Sequence, residues 1–449
     1  MRWRLALSAF AAALFWAIPA SSAPVIQQLT SPSGINIWYV REPTLPIIAV
    51  DILFTNAGAA TEPDDKRGLA SLLSVTLNEG AGDIKSFEFL RRIEELALDL
   101  DFDVGTDTFQ IDFRTLTENR QEGFELLGLA LTQPRFDEGP VGRMRDALLT
   151  RLTRRLDDPE DMVGDAWLAA AYPNHPYGRS RHGTIETMET LTPDDLRHYV
   201  ETRLTRDRLL VGAVGNVEPA EIARLIDIAL GGLPETGPRF DIADQPPVSG
   251  EHLVVVRQDI PQSIALLGTS GVLREDPDYY AASLLNTVLG GASFISRLWN
   301  VVREERGLAY SVGTFLVPLR HSAYVMASVA TSNENLGETL DIIRAELDRM
   351  ARFGLTDEEL ADAKTYSIGH FALRLDRNSR IASVLVGMQL SGLGPNYLEE
   401  RAGLINAVTS DDIKRVARRI FLGDENANPD TTPIELITAV AGNPAGFDD

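Results

Sequence analysis

Arg303 and Tyr310 are the residues of this 449-residue chain whose types and spacing best fit catalytic chemistry. The arginine lies near the end of a helix predicted over 294–306, which Gly307 can terminate, and the tyrosine opens the next predicted strand. A guanidinium can donate to a peptide carbonyl, and a tyrosine hydroxyl can donate to a developing oxyanion. The structural alternative is a surface arginine held in an ion pair beside a half-buried tyrosine.

A second segment, Gly68 to Val75, is informative because of what it lacks. Its sequence GLASLLSV resembles the G-L-A-H-x-x-E-H helix of the pitrilysin-like (M16) zinc peptidases. In that helix two histidines hold the metal and the glutamate acts as general base. Here Ser71, Ser74 and Val75 replace the first histidine, the glutamate and the second histidine. Because a hydroxyl is a poor zinc ligand and valine has no lone pair, the resemblance implies an M16 fold that has lost its metal.

The third zinc ligand of the family is also replaced. In M16 peptidases it is a glutamate on the long helix that precedes an acidic D-D-P turn. The sequence Asp157-Asp158-Pro159 marks that turn, and the resemblance puts the ligand position within 150–152, with Arg151 as the best match. A cation at that position would repel zinc. We therefore expect no metal to be bound by this chain.

The segment that contains Arg303 and Tyr310 carries the most specific surviving resemblance. SRL at 296–298 and VREERGLAYSV at 302–312 are similar to the "SRL…lRE.rGLaYsv" segment of M16 peptidases. There an arginine and a tyrosine seven residues apart face the zinc site across the cavity, so the resemblance assigns this role to Arg303 and Tyr310. A further likeness, His175 to Gly178 with the family's "HPYG" turn, helps to extend the resemblance from about Ile35 to Phe421.

Composition excludes several other functions. The chain has no cysteine, which rules out disulfides, thiolate zinc sites and a cysteine nucleophile. Its formal charge of −23 disfavours binding to nucleic acid or anionic lipid. Residues 1–23 combine an Arg-containing start, an apolar stretch and a small-residue end, which predicts a signal peptide cleaved near residues 20–23 and a periplasmic protein. No later segment is apolar enough to predict a membrane span.

The chain contains the same unit twice. Three short patterns recur in the same order at offsets of 212, 220 and 217 residues: 70–73 with 282–285, 137–138 with 357–358, and 192–196 with 409–413. The Pro- and Gly-rich stretch between Gly231 and Gly250 predicts the boundary. We therefore predict an N-terminal half over 24–235 with the degenerate zinc motif, a linker over 236–252, and a C-terminal half over 253–449 with the Arg/Tyr motif.

Strands and helices are mixed within each half without strict alternation, which predicts an α+β fold. Each half is expected to be a mostly antiparallel sheet packed with helices, the LuxS-like metallohydrolase type that the resemblance implies. Residues 35–40 and 47–54 predict a hairpin, 138–156 a long charged helix and 209–215 a buried strand.

The resemblance also implies a function. Some bacterial M16 peptidases are heterodimers in which one chain brings zinc and the other brings only the Arg/Tyr pair. This sequence matches the second type, so we expect a partner that carries the H-x-x-E-H motif and zinc, and a peptide substrate. Two alternatives remain: a zinc-free homodimeric peptide-binding protein, and a scaffolding protein of the same fold. Retention of Arg303 and Tyr310 argues against the scaffolding protein, because a scaffold has no use for an oxyanion donor pair, and a neighbouring reading frame that encodes an H-x-x-E-H protein would favour the heterodimeric peptidase over both alternatives.

Overall fold

The computed structural model describes residues 24–292 and 294–447, so the predicted signal peptide lies outside the described residues. The strands run as follows: β1 Gln27–Thr30, β2 Asn36–Arg41, β3 Ile47–Thr55, β4 Gly80–Ala81, β5 Ile84–Lys85, β6 Asp99–Val104, β7 Thr108–Leu116, β8 Leu209–Gly215, β9 His252–Arg257, β10 Gln262–Ser270, β11 Ala309–Pro318, β12 Ala323–Ser332 and β13 Ile437–Gly442. The α-helices run as follows: α1 Leu69–Thr76, α2 Ser86–Glu95, α3 Arg120–Thr132, α4 Glu138–Arg155, α5 Pro159–Ala171, α6 Ile185–Thr190, α7 Pro193–Arg203, α8 Pro219–Leu230, α9 Tyr279–Asn286, α10 Leu336–Phe353, α11 Asp357–Ala372, α12 Asn378–Leu390, α13 Tyr397–Ala407 and α14 Ser410–Phe421.

The N-terminal half is built on a six-stranded sheet of order β1-β2-β8-β3-β7-β6. The predicted hairpin of β2 with β3 is wrong, because β8 lies between them, parallel to β2 and antiparallel to β3. Residues 42–46 therefore cross over the end of β8, a step of two strand spacings or about 10 Å. β2 instead pairs with β1, to which the sequence analysis assigned no strand.

The C-terminal half repeats this architecture. Its five strands lie in the order β11-β12-β10-β13-β9, which matches β6-β7-β3-β8-β2 strand for strand. The unusual feature is repeated as well, since β13 runs parallel to β9 as β8 does to β2. Two repeated halves with mostly antiparallel sheets confirm the predicted α+β fold. Residues 233–251, between the halves, contain neither helix nor strand.

Each half places one helix on the sheet of the other. Helix α5 packs against β13, β10 and β9, and helix α12 packs against β8 and β3. Both helices lie close to the strands, because a Cβ at Gly268 would overlap the ring of Trp167 and one at Gly212 would overlap the carbonyl of Ala382. The two halves are therefore held together by exchanged helices with tight backbone approaches.

Matching polar contacts accompany the exchange. The indole Nε1 of Trp167 on α5 donates to the carbonyl of Ile437 at 2.9 Å. The side-chain Nε2 of Gln389 on α12 donates to the carbonyl of Val211 at 3.0 Å. Ile437 lies in β13 and Val211 in β8, which are equivalent strands of the repeat. The contacts therefore follow the same internal symmetry as the sheets.

Trp167→Phe is expected to lower the free energy of unfolding by about 2 kcal/mol. The side chain is only 1% exposed, so the smaller phenylalanine ring leaves a cavity. The hydrogen bond from the indole to the carbonyl of Ile437 is lost as well. Urea titration followed by circular dichroism measures the effect. Phe87→Leu is the matched control, because Phe87 is 81% exposed and its loss should leave the midpoint unchanged. Equal midpoints for both variants would contradict the role given to α5.

No helix within 24–292 and 294–447 has the length and hydropathy needed to cross a bilayer.

Candidate functional site

Helix α1 presents the degenerate metal motif, and the core of the N-terminal half fixes its orientation. Leu69, Leu72 and Leu73 are buried in that core. The side chain of Glu62 caps the start of the helix, accepting from the N–H of Gly68 at 2.8 Å and from that of Ala70 at 2.6 Å. A carboxylate can satisfy these N–H groups, which have no partner within the helix, and it also favours the helix dipole.

The three replaced residues of α1 are engaged in contacts of their own. Ser71 is 8% exposed, and its Oγ donates to the carbonyl of Arg181 at 3.2 Å. The Oγ of Ser74 donates to the carbonyl of Ser71 at 2.9 Å, one turn back along the helix. Val75 packs against the core of the N-terminal half. The two hydroxyls are therefore used in hydrogen bonds to backbone carbonyls, and the valine offers no lone pair to a metal.

Arg151 is exposed on helix α4, which packs against α1. Burial, together with the positive charges of Arg155, Arg181 and Arg151, lowers the pKa of His182 to about 4. Several cations therefore lie close to the place where the family motif would hold zinc. Over the described ranges there is no cluster of three or more His, Cys, Asp or Glu side chains that could hold a metal ion. The residues present do not fit zinc, because a serine, a valine and an arginine stand at the positions where the family motif has two imidazoles and a carboxylate.

The buried Glu62 gives the α1 region a defined pH response. Burial raises the pKa of this carboxyl to about 7, while the N–H groups of Ala70 and Gly68 and the charges of Arg203 and Arg67 act in the opposite direction. Because the folded pKa lies above the unfolded value of 4.5, the folded state binds more protons between these values. The contribution of this group to stability therefore falls as pH rises from about 4.5 to about 7.

A comparison of Glu62→Gln with the wild type tests that response. Between pH 5 and pH 8 the wild type is expected to lose roughly 1–3 kcal/mol more unfolding free energy than the variant. All other titrating groups are common to both proteins, so the difference in slope isolates Glu62. Urea unfolding at the two pH values measures it. Parallel pH profiles would show that Glu62 keeps an ordinary pKa.

Arg303 and Tyr310 lie together in the C-terminal half. A short helical segment, Trp299–Glu304, carries the arginine, and Gly307 follows with φ +63° and donates its N–H to the carbonyl of Arg303 at 2.9 Å. The Cζ of Arg303 lies 4.0 Å from the ring centroid of Trp299 and 4.7 Å from that of Tyr310. The guanidinium therefore contacts two aromatic rings, and no side-chain hydrogen bond within the described ranges uses its N–H groups.

Tyr310 projects from a β-bulge on an edge strand. Ala309 pairs with Thr331 and Ser311 with Ala330, so Tyr310 is the extra residue in β11. A bulge redirects a side chain, and such irregularities are frequent beside functional sites. The tyrosine is 79% exposed. Its hydroxyl is therefore directed to solvent while its ring supports Arg303.

The ion-pair alternative for Arg303 is not observed: no carboxylate of the described residues lies in salt-bridge distance of its guanidinium, whereas its neighbour Arg306 pairs with Glu305 at 3.4 Å. Trp299, which the sequence analysis missed, supplies one face of the stack, and its Nε1 donates to Glu304 at 3.1 Å. Its position one helical turn before Arg303 is the signal that could have identified it. Phe294 extends the aromatic surface, with its ring 4.6 Å from that of Trp299.

Two repeated α+β halves, an α1 segment with serines and a valine at positions 71, 74 and 75, and a half-buried Arg303 beside an exposed Tyr310 are features of a metallopeptidase-type fold without zinc ligands on α1. Family profiles agree. The profile described as Insulinase (Peptidase family M16) matches residues 41–185, and the profile described as Peptidase M16 inactive domain matches residues 190–366. The chain belongs to the M16 peptidase family.

Its relatives carry two kinds of name. An "uncharacterized zinc protease" of Streptomyces coelicolor is 27% identical over 88% of this chain and 87% of the relative. A "non-peptidase homolog" of Helicobacter pylori is 23% identical over 90% of this chain and 92% of the relative. The likeness therefore spans nearly the full length of both proteins.

Solved structures share the fold. The crystal structure of a peptidase M16 inactive domain from Pseudomonas fluorescens superposes with a TM-score of 0.85 at 22% identity, covering 94% of this chain and 99% of that one. A chain of Complex III2 from Candida albicans superposes with a TM-score of 0.75 at 17% identity, covering 94% and 97%. The same architecture is thus present in an M16 inactive domain and in a chain of Complex III2.

Proposed function

We propose that this chain is the non-zinc-binding subunit of a heterodimeric M16 metallopeptidase. It would pair with a chain of the same fold that carries an intact H-x-x-E-H motif and zinc. Arg303 and Tyr310 would then reach the partner's active site, where they position the peptide and stabilise the oxyanion. Export to the periplasm, which residues 1–23 predict, is part of the proposal.

The arrangement of Arg303 is the observation that carries the proposal. The guanidinium carbon lies over the rings of both Trp299 and Tyr310, with no carboxylate of the described residues as partner. An arginine fixed by two rings loses little conformational freedom when it binds a carbonyl. This is the arrangement that a preorganised donor needs.

The roles of the two side chains follow from their chemistry. The partner's zinc would supply the activated water. Arg303 would donate from its free edges to a carbonyl of the peptide and hold it in place. The hydroxyl of Tyr310 would donate to the carbonyl oxygen as negative charge develops on it. Neither residue supplies a nucleophile or a base, so the chain by itself is not expected to hydrolyse peptides.

The "non-peptidase homolog" name of the Helicobacter pylori relative is compatible with a chain that is inactive by itself. It is equally compatible with the alternative, a zinc-free homodimeric peptide-binding or scaffolding protein. The two functions differ in what they require of a partner. A heterodimer needs a second, zinc-bearing chain in equal amount, and a homodimer needs none.

Affinity purification of the tagged mature chain from the periplasm of its own cells tests the proposal. The expected result is a stoichiometric partner of similar length with an H-x-x-E-H motif, identified by mass spectrometry. Zinc should be found with that partner. Recovery of this chain as a homodimer without such a partner would reject the heterodimer and leave the peptide-binding or scaffolding function.

A further inference from the structure

A cavity of about 300 Å³ lies between helices α9, α11, α12 and α13 of the C-terminal half. Three arginines line it, Arg274, Arg374 and Arg401, together with the tyrosines Tyr280 and Tyr397. Its lining residues include no aspartate or glutamate. This composition is unexpected in a chain with 65 acidic and 42 basic residues.

The arginines of this cavity lack the partners that other arginines nearby have. Arg415 and Arg419 pair with Asp278 at 2.6 and 2.8 Å. In contrast, no carboxylate of the described residues forms an ion pair with any of the three arginines in the cavity. The contacts of their guanidinium groups are with aromatic rings, a tyrosine hydroxyl and a backbone carbonyl.

The contacts that they make hold two of the guanidinium groups in place. Arg274 donates to the hydroxyl of Tyr397 at 3.1 Å, and its Cζ lies 4.1 Å from the ring centroid of Tyr279. Arg401 donates to the carbonyl of Ser367 at 3.2 Å, and its Cζ lies 4.2 Å from the ring centroid of Phe371. Each guanidinium has five N–H donors, so both keep donors for a ligand.

The cavity lies in the C-terminal half at the place equivalent to the degenerate metal motif of the N-terminal half. In the repeat, the offset of 212 residues makes Ser283 the equivalent of Ser71, and the offset of 220 makes Phe371 the equivalent of Arg151. Both Ser283 and Phe371 line the cavity. Helices α9 and α11 contact each other as their counterparts α1 and α4 do.

We propose that this cavity binds a small oxyanion, either a phosphate or the carboxylate of a small organic acid. Arginine forks and tyrosine hydroxyls are the donors that match such oxygens. The proposal goes beyond the peptidase function and does not depend on a zinc-bearing partner.

The ionisation states suit this ligand. Burial raises the pKa of Tyr397 to about 12, so its hydroxyl stays protonated and can donate. Burial lowers the pKa of Arg401, and the charge of Arg374 lowers it further, whereas the neighbouring tyrosines raise it. An anion in the cavity would relieve this repulsion between like charges.

Isothermal titration of the mature chain in phosphate-free buffer at low ionic strength tests the proposal. Inorganic phosphate and succinate are the two probes, and succinamide is the uncharged control. At least one anion should saturate the chain at one equivalent, and succinamide should not bind. The anion that binds shows whether the ligand is a phosphate or a carboxylate. Failure of both anions to saturate would overturn the proposal.

Variants locate the binding. Arg274→Met and Arg401→Met should each lower the affinity for the anion at least about tenfold, since each removes a charge-assisted donor. Arg380→Met is the matched control, because Arg380 on α12 pairs with Asp376 and does not line the cavity. Its affinity should be that of the wild type.

A further variant separates binding from folding. Gly387 lines the cavity, and a Cβ at this helical position would meet no atom within 4 Å. Gly387→Leu should therefore block the anion without removing a charge or straining the helix. If anion affinity is unchanged in Gly387→Leu and in both arginine variants, the arginines serve only to pack the tyrosines and the proposal is wrong.

Discussion

Tyr310→Phe in the two-chain peptidase is expected to lower kcat by about 10²–10³-fold, the usual effect of removing one oxyanion donor. The ring of phenylalanine can still support Arg303, so only the hydroxyl is lost. KM should change little, because the donor acts mainly on charge that develops in the transition state. Steady-state hydrolysis of a fluorogenic peptide by the purified complex measures both constants.

Arg303→Ala should act differently, because a positioning contact is made in the ground state too. It is expected to raise KM as well as lower kcat. Arg306→Ala is the matched control, since Arg306 lies three residues further on and pairs with Glu305. It should leave both constants within about twofold of the wild type. Full activity of Tyr310→Phe and Arg303→Ala in an intact complex would show that neither residue takes part in catalysis.

Restoring the family's ligands should convert the degenerate motif into a metal site. The triple variant Ser71→His, Val75→His and Arg151→Glu is expected to take up about one zinc per chain, whereas the wild type should hold almost none. The two histidines lie four residues apart on α1, and the glutamate replaces a cation on the adjacent α4. Metal analysis after gel filtration gives the zinc content.

Stability provides an independent measurement of the restored site. With free zinc at a hundredfold excess over its Kd, the triple variant should gain about 2.7 kcal/mol of unfolding free energy, and a chelator should reverse the gain. The double variant Ser71→His, Val75→His is the control, because Arg151 remains and only two ligands are present. Stoichiometric zinc in the wild type at this place, or none in a folded triple variant, would contradict the explanation given for the loss of metal.

Local pattern was sufficient for single elements with a strong periodicity of their own. The predicted strand at 209–215 and the predicted helix at 138–156 agree closely with β8 and α4. No element was predicted for α5 or α12, which pack on the sheet of the other half. The hairpin prediction failed for a related reason, since β8, far along the chain, inserts between β2 and β3. These contacts join residues that are distant in sequence, so periodicity could not indicate them.

In the candidate site, too, features within one segment could be predicted and features assembled from distant segments could not. Arg303 and Tyr310 are close in sequence, and their spacing was enough to predict that they meet. Glu62 was missed because it caps α1 from a loop outside the usual N-cap position. The arginine-lined cavity was missed because its arginines come from separate helices and loops and form no motif. Sequence thus indicated the chemistry within one segment, but not the sites assembled from several.

The most direct test of the central claim is the hydrolysis of a fluorogenic peptide by this chain, by its zinc-bearing partner, and by the two mixed in equal amounts. The heterodimer account predicts that neither chain cleaves at an appreciable rate by itself and that the mixture does. The rate should increase with added partner until the ratio reaches one to one. Full activity of the partner without this chain would contradict the account, because Arg303 and Tyr310 would then have no part in catalysis.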